Sequence, residues 1–234
     1  MTNIVILAAG MGTRLGNPAP KPLTQLQDGR TIMGQQVENI YNTFGYGYPI
    51  ITVVGYKAET IQEAFPYNLY VHNHNYDITN TSKSLLKALQ HTQPGGVLWF
   101  NGDVVFDPAI LTRLKPYIDA DQSFISVNTA SVAEEEIKYT IDENGHIEKL
   151  SKTVTDGLGE AVGINYVSSK DKQTLLTHLK QTDPQDYFEK GIENAIRDHR
   201  LQFLPINISD LYAVEVDFSD DLHKANLHLP QLIK

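Results

Sequence analysis

Cysteine is absent from this chain of 234 residues. Disulfide bridges, thiolate metal sites and cysteine nucleophiles are therefore excluded, although the absence does not by itself decide the compartment. Long apolar runs are missing as well, since no stretch approaches the roughly 20 apolar residues that a membrane-spanning helix needs. The N-terminal segment MTNIVIL also lacks the basic start and the long apolar stretch of a secretory signal peptide. We expect a soluble, cytoplasmic protein without a membrane partner.

Positive charge is in short supply. The chain has 19 lysine and arginine residues against 28 aspartate and glutamate residues, which gives a net charge of −9. Nonspecific binding to nucleic acid or to anionic membranes is disfavoured for such a chain. A small anionic ligand would have to be held by local cations, backbone N–H groups or a metal ion.

The first half of the chain alternates strand and helix patterns. The segments NIVILAA and PIITVVGY are continuously apolar, which is typical of buried parallel strands. Apolar residues at helical spacing predict a helix between them, with Thr31 as its N-cap and Gly45 as its stop. Strands that alternate with helices indicate right-handed βαβ units and a mainly parallel sheet.

The second half changes character. Its patterns predict strands, a hairpin around Asn144 and Gly145, and a closing helix capped by Ser219. No internal repeat, low-complexity tract or linker separates the halves. We therefore expect a single α/β domain over residues 1–234, with a Rossmann-like, mainly parallel mixed β-sheet flanked by helices.

A glycine-rich segment, LAAGMGTRLG, follows the first strand directly. A dinucleotide-binding loop has the pattern G-x-G-x-x-G and opens straight into a helix. Here the third glycine is displaced to Gly16, and the prolines that follow would interrupt such a helix. A Walker A loop needs Gly-Lys followed by Ser or Thr, which the sequence does not contain. Both of these phosphate-binding loops are excluded.

The ordered signature L-A-A-G-x-G-T-R-L-G, followed by Lys21 in the segment PKPL, resembles the sugar-nucleotidyltransferase family. Enzymes of this family join an NTP to a phosphorylated acceptor and release pyrophosphate. The resemblance implies the nucleotide-diphospho-sugar transferase fold, with an NTP-binding part over 1–110 and an acceptor-binding part over 111–234. The small size and the segments NTSKSLLKAL and YAVEVD look most like compact bacterial CTP:phosphocholine cytidylyltransferases. Relatives of those act on small phosphorylated or phosphonylated alcohols and amines.

The residue types of the loop suit a triphosphate. Gly10 and Gly12 have no side chains, so backbone N–H groups can approach the phosphates. Arg14 can contact the β- and γ-phosphates with its guanidinium, and Lys21 can neutralise charge at the attacked α-phosphate. These two cations are the predicted catalytic residues. The resemblance implies further nucleotide contacts by Leu7, Ala8, Ala9, Thr13, Asn80, Ser82 and Asp103, although N-capping is a strong alternative for Asn80 and Ser82.

A reaction of an NTP implies Mg²⁺, which prefers carboxylate ligands. Asp103 follows a buried strand, where open α/β sheets bind ligands, and the resemblance implies that it holds the metal ion. Asp217 matches the family's second metal-binding aspartate, and Glu215 is a weaker helper. His72 and His74 could face one side of a strand, but no third ligand is evident, so we interpret them as loop residues.

The acceptor site is expected in the second half. By resemblance, the acceptor is bound by Lys152, which meets its phosphate and has Lys149 as a rival, and by Glu160, which precedes a glycine-containing strand. Aromatic residues are expected to contact the head group, with Tyr76, Tyr166 and Tyr187 as candidates.

The predicted reaction is an in-line attack of the acceptor's phosphate oxygen on the α-phosphorus of CTP. It gives a CDP-activated product for the decoration of cell-surface glycans. The expected partners are CTP, or another NTP, and a small phosphorylated, phosphocholine-like acceptor, with no nucleic acid and with a homodimer left open. One alternative is a uridylyl- or guanylyltransferase that acts on a sugar 1-phosphate. A second is a nucleotide-binding sensor without catalysis.

Overall fold

The computed structural model describes residues 2–16, 19–130 and 136–232. The first part of the chain alternates strands and helices, as predicted. The strands are β1 (Asn3–Ala8), β2 (Ile50–Val54), β3 (Leu69–His72), β4 (Val97–Asn101), β5 (Val104–Phe106), β6 (Phe124–Asn128), β7 (Lys138–Ile141), β8 (Ile147–Ser151), β9 (Glu160–Val167), β10 (Leu204–Asn207) and β11 (Ala213–Glu215). The helices are α1 (Ile32–Phe44), α2 (Ala58–Ala64), α3 (Thr81–His91), α4 (Ala109–Asp119), α5 (Lys172–Gln181), α6 (Phe188–Arg197) and α7 (Ser219–Leu232), with 3-10 turns at Thr13–Leu15 and Lys21–Leu23.

The main sheet has the strand order β10-β6-β9-β4-β1-β2-β3, and β7 and β8 form a hairpin beside β9. The pairs β1–β2, β1–β4, β2–β3 and β6–β10 are parallel, whereas β9 runs antiparallel to both β4 and β6. Strand β9 from the second half therefore lies between two strands that come earlier in the chain. This arrangement confirms the predicted α/β domain with a Rossmann-like, mainly parallel mixed sheet flanked by helices.

Strand β1 is buried on both faces. Successive side chains of a strand point to opposite faces, so Val5 and Leu7 join one apolar core and Ile4 and Ile6 join the other. The first core lies under helices such as α3 and α5, and the second under helices such as α1 and α4. The continuously apolar sequence of β1 follows from this position at the centre of the sheet.

The predicted ends of α1 are confirmed. Thr31 Oγ1 accepts a hydrogen bond from the N–H of Gly34 at 3.0 Å, and Gly45 ends the helix with φ of 85°. The predicted cap of α7 is wrong, because Ser219 is the first helical residue and Asp221 Oδ2 accepts the N–H of Phe218.

Helix α4 was not predicted. It begins directly after Pro108 and contains Pro116, and prolines so placed hide a helical pattern in the sequence. Within the described ranges, no helix has the length and apolar character needed to span a bilayer.

Candidate active site

Four charged residues from distant parts of the chain meet beyond the carboxyl ends of the central strands. Lys21 Nζ lies 2.6 Å from Asp103 Oδ2 and 2.5 Å from Asp217 Oδ1. Arg14 Nη1 lies 3.1 Å from Asp217 Oδ2. The structure thus brings together the four residues to which the sequence assigned catalysis and metal binding, and we call them the charged cluster.

Strand pairing explains how the two aspartates become neighbours. Asp103 lies in the turn between β4 and β5, and Asp217 follows β11. Because β11 pairs antiparallel with β5, Glu215 stands opposite Val104, and the N–H of Val216 donates to the carbonyl oxygen of Asp103 at 3.0 Å. The small two-stranded sheet therefore carries the end of the chain back to the turn after β4.

The glycine-rich loop approaches Lys21 closely. Gly12 has φ of +58°, and a Cβ at this position would stand 2.6 Å from the Cβ of Lys21. A side chain at position 12 would therefore displace the lysine. Gly10 is exposed, and a Cβ there would meet no atom of the described ranges within 4 Å. Thr13 lies in the first 3-10 turn, but its side chain is outside the described part of the chain.

The cluster is held by complementary charges. Burial lowers the pKa of Lys21, but the carboxylates of Asp103 and Asp217 outweigh burial and leave the pKa raised. Burial by itself would raise the pKa of Asp217. This effect is outweighed by the hydrogen bond and charge of Lys21, followed by the charge of Arg14, so the pKa of Asp217 is lowered. Lys21 therefore keeps its proton and Asp217 stays ionised near neutral pH.

The two aspartates offer a donor set that suits a hard cation. A single ammonium group bridges both carboxylates, and Asp103 Oδ1 is buried without a hydrogen-bond partner among the described residues. No group of three or more His, Cys, Asp or Glu residues in the described ranges could hold a metal ion. Mg²⁺ is commonly bound by one or two carboxylates together with substrate phosphates, so this donor set fits it.

Lys152 faces the charged cluster from the second half of the chain. Its charge lowers the pKa of Asp217, although less than Lys21 and Arg14 do, and its Nζ lies 4.8 Å from the ring centroid of Tyr187. The rival Lys149 is exposed and lines a separate groove beside Thr140 and Glu193. Of the two lysines, only Lys152 is placed near the cluster.

Lys152 acts electrostatically on two glutamates, Glu136 and Glu189. Glu160 is the first residue of β9. Burial is the largest cause of the raised pKa of Glu136, and the charge of Glu160 raises that pKa further. Burial also raises the pKa of Glu189 to about 7. Burial, followed by the charges of Asp103 and Glu136, raises the pKa of Glu215 well above its usual range. These glutamates and Lys152 form one side of the site, which we call the acidic wall.

Asn101 is a site residue that the sequence analysis missed. Its Nδ2 donates to Glu215 Oε1 at 3.0 Å and so orients the glutamate beside Asp103. Gly163 makes room for this pair, because a Cβ there would stand 2.7 Å from Asn101 Nδ2 and 2.8 Å from Glu215 Oε1. The position of Asn101 two residues before Asp103, at the end of β4, was the signal available in the sequence. Glu136 and Glu189 gave no such signal.

The predicted nucleoside side adjoins the ends of β1 and β2. Leu7, Ala8 and Ala9 are buried, and the carbonyl oxygen of Ala9 accepts the N–H of Tyr56 at 3.1 Å. Tyr76 packs against the backbone at Gly55, and its ring centroid lies 6.3 Å from that of Tyr56. The alanines can thus offer only backbone groups and a small surface to a ligand.

Asn80 and Ser82 lie at the start of α3. Asn80 Oδ1 accepts the N–H of Thr81 at 2.8 Å, which makes Asn80 the N-cap. Ser82 is fully buried, and its N–H donates to the carbonyl oxygen of Asp186 at 3.2 Å. The nucleotide contacts assigned to Asn80 and Ser82 stay predictions.

The prediction that Tyr166 contacts the head group of the acceptor is wrong. Its side chain is 1% exposed, its ring stacks on Phe124, and its hydroxyl donates to Asp121 Oδ1 at 2.7 Å. The alternation along β9 directs this side chain into the core. His72 and His74 stack on each other with ring centroids 5.5 Å apart.

Comparison with known proteins places the chain among nucleotidyltransferases. Residues 4–180 match the MobA-like NTP transferase domain. The chain is 26% identical over 221 residues to 2-aminoethylphosphonate cytidylyltransferase of Lancefieldella rimae, a match that covers 90% of this chain and 87% of that protein. It is also 36% identical over 120 residues to CMP-5'-(3-aminopropyl)phosphonate synthase of Streptomyces rubellomurinus, where the match spans 47% of this chain and 18% of that protein.

Among solved structures, the inositol-1-phosphate CTP transferase of T. maritima aligns with a TM-score of 0.80 at 17% identity, covering 99% of this chain and 96% of that one. A likeness at this identity shows the shared fold. The family match extends over more than half of the sequence and includes the glycine-rich loop, Lys21 and Asp103. The chain belongs to the MobA-like NTP transferase domain family.

Proposed function

We propose that this protein is a Mg²⁺-dependent cytidylyltransferase that moves CMP from CTP to a small phosphorylated or phosphonylated acceptor. The observation that carries the proposal is the charged cluster, in which Lys21 bridges Asp103 and Asp217 and Arg14 contacts Asp217. The cluster concentrates two cations and two carboxylates beside a loop whose glycines leave backbone N–H groups accessible. Such a site is suited to hold a triphosphate.

The proposed reaction is a direct displacement at phosphorus. An anionic oxygen of the acceptor forms a bond to the α-phosphorus of CTP, and the bond from that phosphorus to the bridging oxygen of the β-phosphate breaks. Pyrophosphate leaves with the electron pair, and no proton has to move. A protein nucleophile or general base is therefore unnecessary.

Each residue of the charged cluster has a task in this scheme. Arg14 is half exposed and can hold the departing β- and γ-phosphates with two parallel hydrogen bonds. Lys21 is largely buried and keeps its proton, so it can neutralise charge that develops at the α-phosphate. Asp103 and Asp217 would hold Mg²⁺, which neutralises and orients phosphate oxygens when it is bound.

The positions of the site residues along the chain support the proposal. Residues 1–110 supply the glycine-rich loop, Lys21 and Asp103, and we assign NTP binding to this part. Residues 111–234 supply Lys152 and Tyr187, which lie in contact with each other, and we assign acceptor binding to this part. Asp217 comes from the second part and completes the site of the first.

Cytidine is favoured over other nucleosides because the two curated relatives described above are named for CMP transfer or CMP-linked products. Uridylyl or guanylyl transfer to a sugar 1-phosphate remains the alternative of the same reaction type. We further propose that the activated product is made in the cytoplasm and serves the decoration of cell-surface glycans.

Pyrophosphate release tests the proposal. The purified protein is incubated with Mg²⁺ and each of CTP, UTP, GTP and ATP, together with 2-aminoethylphosphonate, phosphocholine or glucose 1-phosphate. We expect release with CTP and an aminoalkyl acceptor, and loss of that activity in Asp103→Asn. The surface variant Asp210→Asn is the matched control, since Asp210 pairs with Arg113 away from the cluster.

Other outcomes would contradict the proposal. Release only with UTP or GTP and glucose 1-phosphate would establish the alternative specificity. Tight binding of CTP without release with any acceptor would favour a nucleotide sensor.

A further inference from the structure

Glu189 is a buried carboxylate that the reaction scheme does not use. It lies in the first turn of α6 and is 7% exposed. Its Oε2 atom is buried and accepts no hydrogen bond within the described part of the chain. Buried acceptors of this kind are costly unless a donor reaches them, so Glu189 Oε2 is an acceptor that an N–H group of a bound ligand can satisfy.

Glu189 belongs to the acidic wall of the acceptor side. Besides burial, the charge of Glu136 raises the pKa of Glu189, and the charge of Lys152 lowers it. The charge of Glu189 in turn adds to the raised pKa of Glu215, for which burial is the largest cause. Burial raises the pKa of Glu136, and the charge of Glu160 raises it further. Those carboxyl groups of the wall that are ionised repel the phosphate or phosphonate of an acceptor, and the ammonium of Lys152 opposes this repulsion. The repulsion is overcome if the acceptor itself carries a positive charge on this side.

Tyr187 completes the environment for a cation. It directly precedes α6, and its ring is 39% exposed. Lys152 Nζ lies 4.8 Å from the ring centroid, within the range at which an aromatic face attracts an ammonium group. The ring is therefore already shown to accommodate a primary ammonium, supplied here by the chain itself.

We propose that Tyr187 and Glu189 form a subsite for a primary ammonium group, so that the acceptor is an aminoalkyl phosphonate or phosphate. This inference rests on the proposed cytidylyl transfer and names its acceptor class. The ammonium donates an N–H to Glu189 Oε2 and lies against the Tyr187 ring, and Lys152 turns to the acidic oxygens of the acceptor. A primary amine is selected over a quaternary one, because a trimethylammonium group has no N–H to donate.

Glu189→Gln tests the subsite because it keeps the size of the side chain and removes the ionisable carboxyl group, which pairs with an ammonium group when it is ionised. The kcat/KM values are measured with CTP and each of 2-aminoethylphosphonate, ethylphosphonate and phosphocholine. We expect the wild type to prefer 2-aminoethylphosphonate to each of the others by on the order of tenfold or more, as for other charge-assisted hydrogen bonds. We expect Glu189→Gln to lose this preference over ethylphosphonate, because its KM for 2-aminoethylphosphonate rises while its kcat changes little.

Two further variants separate binding from folding. Glu193→Gln is the matched control, since Glu193 lies one turn further along α6 and pairs with Lys190, and it should keep the wild-type preference. Tyr187→Leu should raise the KM for 2-aminoethylphosphonate, and Tyr187→Phe, which keeps the ring, should restore it. Far-ultraviolet circular dichroism and a thermal melt verify that each variant is folded.

The inference and the proposed function fail in different ways. If the wild type releases pyrophosphate from CTP but uses phosphocholine or ethylphosphonate as well as 2-aminoethylphosphonate, the subsite is wrong and cytidylyl transfer stands. The same conclusion follows if Glu189→Gln lowers all three kcat/KM values equally. If no acceptor gives pyrophosphate, the proposed function itself is wrong.

Discussion

Gly12 and Lys21 are packed so tightly that no side chain fits between them. A Cβ on Gly12 would stand 2.6 Å from the Cβ of Lys21, closer than real Cβ contacts are found. The backbone at Gly12 also has φ of +58°, a conformation that glycine adopts without penalty. The glycine-rich loop therefore has a second role besides exposing N–H groups, because it makes room for the lysine that bridges Asp103 and Asp217.

Gly12→Ala is expected to damage catalysis more than stability. The new methyl group displaces Lys21 from the two carboxylates, so kcat for pyrophosphate release should fall by about tenfold or more. The left-handed backbone should cost about 1 kcal/mol of unfolding free energy. Gly16→Ala is the control, because Gly16 has φ of +64° but a Cβ there meets no atom of the described residues within 4 Å. Equal losses of kcat in both variants would refute the steric explanation.

Lys21→Ala should lower kcat for CMP transfer on the order of 100-fold or more, as is typical when a preorganised charge contact to a transition state is removed. The KM for CTP should change less, since Arg14 and the loop remain. Lys115→Ala, which removes a surface lysine paired with Asp119, is the control for general effects of charge. Near-normal turnover in Lys21→Ala would rule out its assigned role.

Asp217→Asn should raise the Mg²⁺ concentration needed for half-maximal activity by about tenfold or more, because a hard cation loses one of its two carboxylates. The measurement is a Mg²⁺ titration of initial rates after removal of bound metal with EDTA. Asp210→Asn changes an aspartate that pairs with Arg113 and should leave the titration unchanged. An unaltered Mg²⁺ requirement in Asp217→Asn would argue against a metal role for this residue.

The sequence predicted the first half of the site better than the second. The positions of Arg14, Lys21 and Asp103 depend on local features, namely a loop after a buried strand and a turn at the end of another. Asp217 could be matched by resemblance alone, because the β5–β11 pairing that brings it to Asp103 is a long-range contact.

Burial explains why Glu189 was missed and why the prediction for Tyr166 was wrong. Glu189 looks like an ordinary helix-surface glutamate in the sequence, and only the packing of α6 buries it. Tyr166 could not be assigned to the core without the register of β9 against β4, which pairs it with Leu98. Helix α4 escaped prediction because Pro116 lies inside it.

Glu189 makes the stability of the protein depend on pH. Burial is the main cause that raises its pKa from 4.5 to about 7, and Glu136 adds to it, whereas Lys152 opposes it. Between these two pH values the folded protein holds a proton that the unfolded chain releases. The free energy of unfolding should therefore fall as pH rises through this window, by up to about 3 kcal/mol.

Urea unfolding at about pH 5 and about pH 8 measures this effect. Glu189→Gln has no ionisable group at this position, so it should lose the pH dependence and be more stable than the wild type at the higher pH. Glu193→Gln should keep the wild-type dependence. A wild type whose stability rises over this range would contradict the burial of a protonated Glu189.

Tyr166→Phe should affect stability and leave the reaction unchanged. The variant loses the hydrogen bond from the tyrosine hydroxyl to Asp121 Oδ1, but Asp121 still accepts hydrogen bonds from the N–H and the hydroxyl of Ser169. Because the carboxylate keeps these donors, the unfolding free energy should fall by only about 1 kcal/mol. The KM values for CTP and for the acceptor should stay at the wild-type level, in contrast to Tyr187→Leu. A raised KM for the acceptor in Tyr166→Phe, with unchanged stability, would contradict the placement of Tyr166 in the core and indicate that it contacts the acceptor.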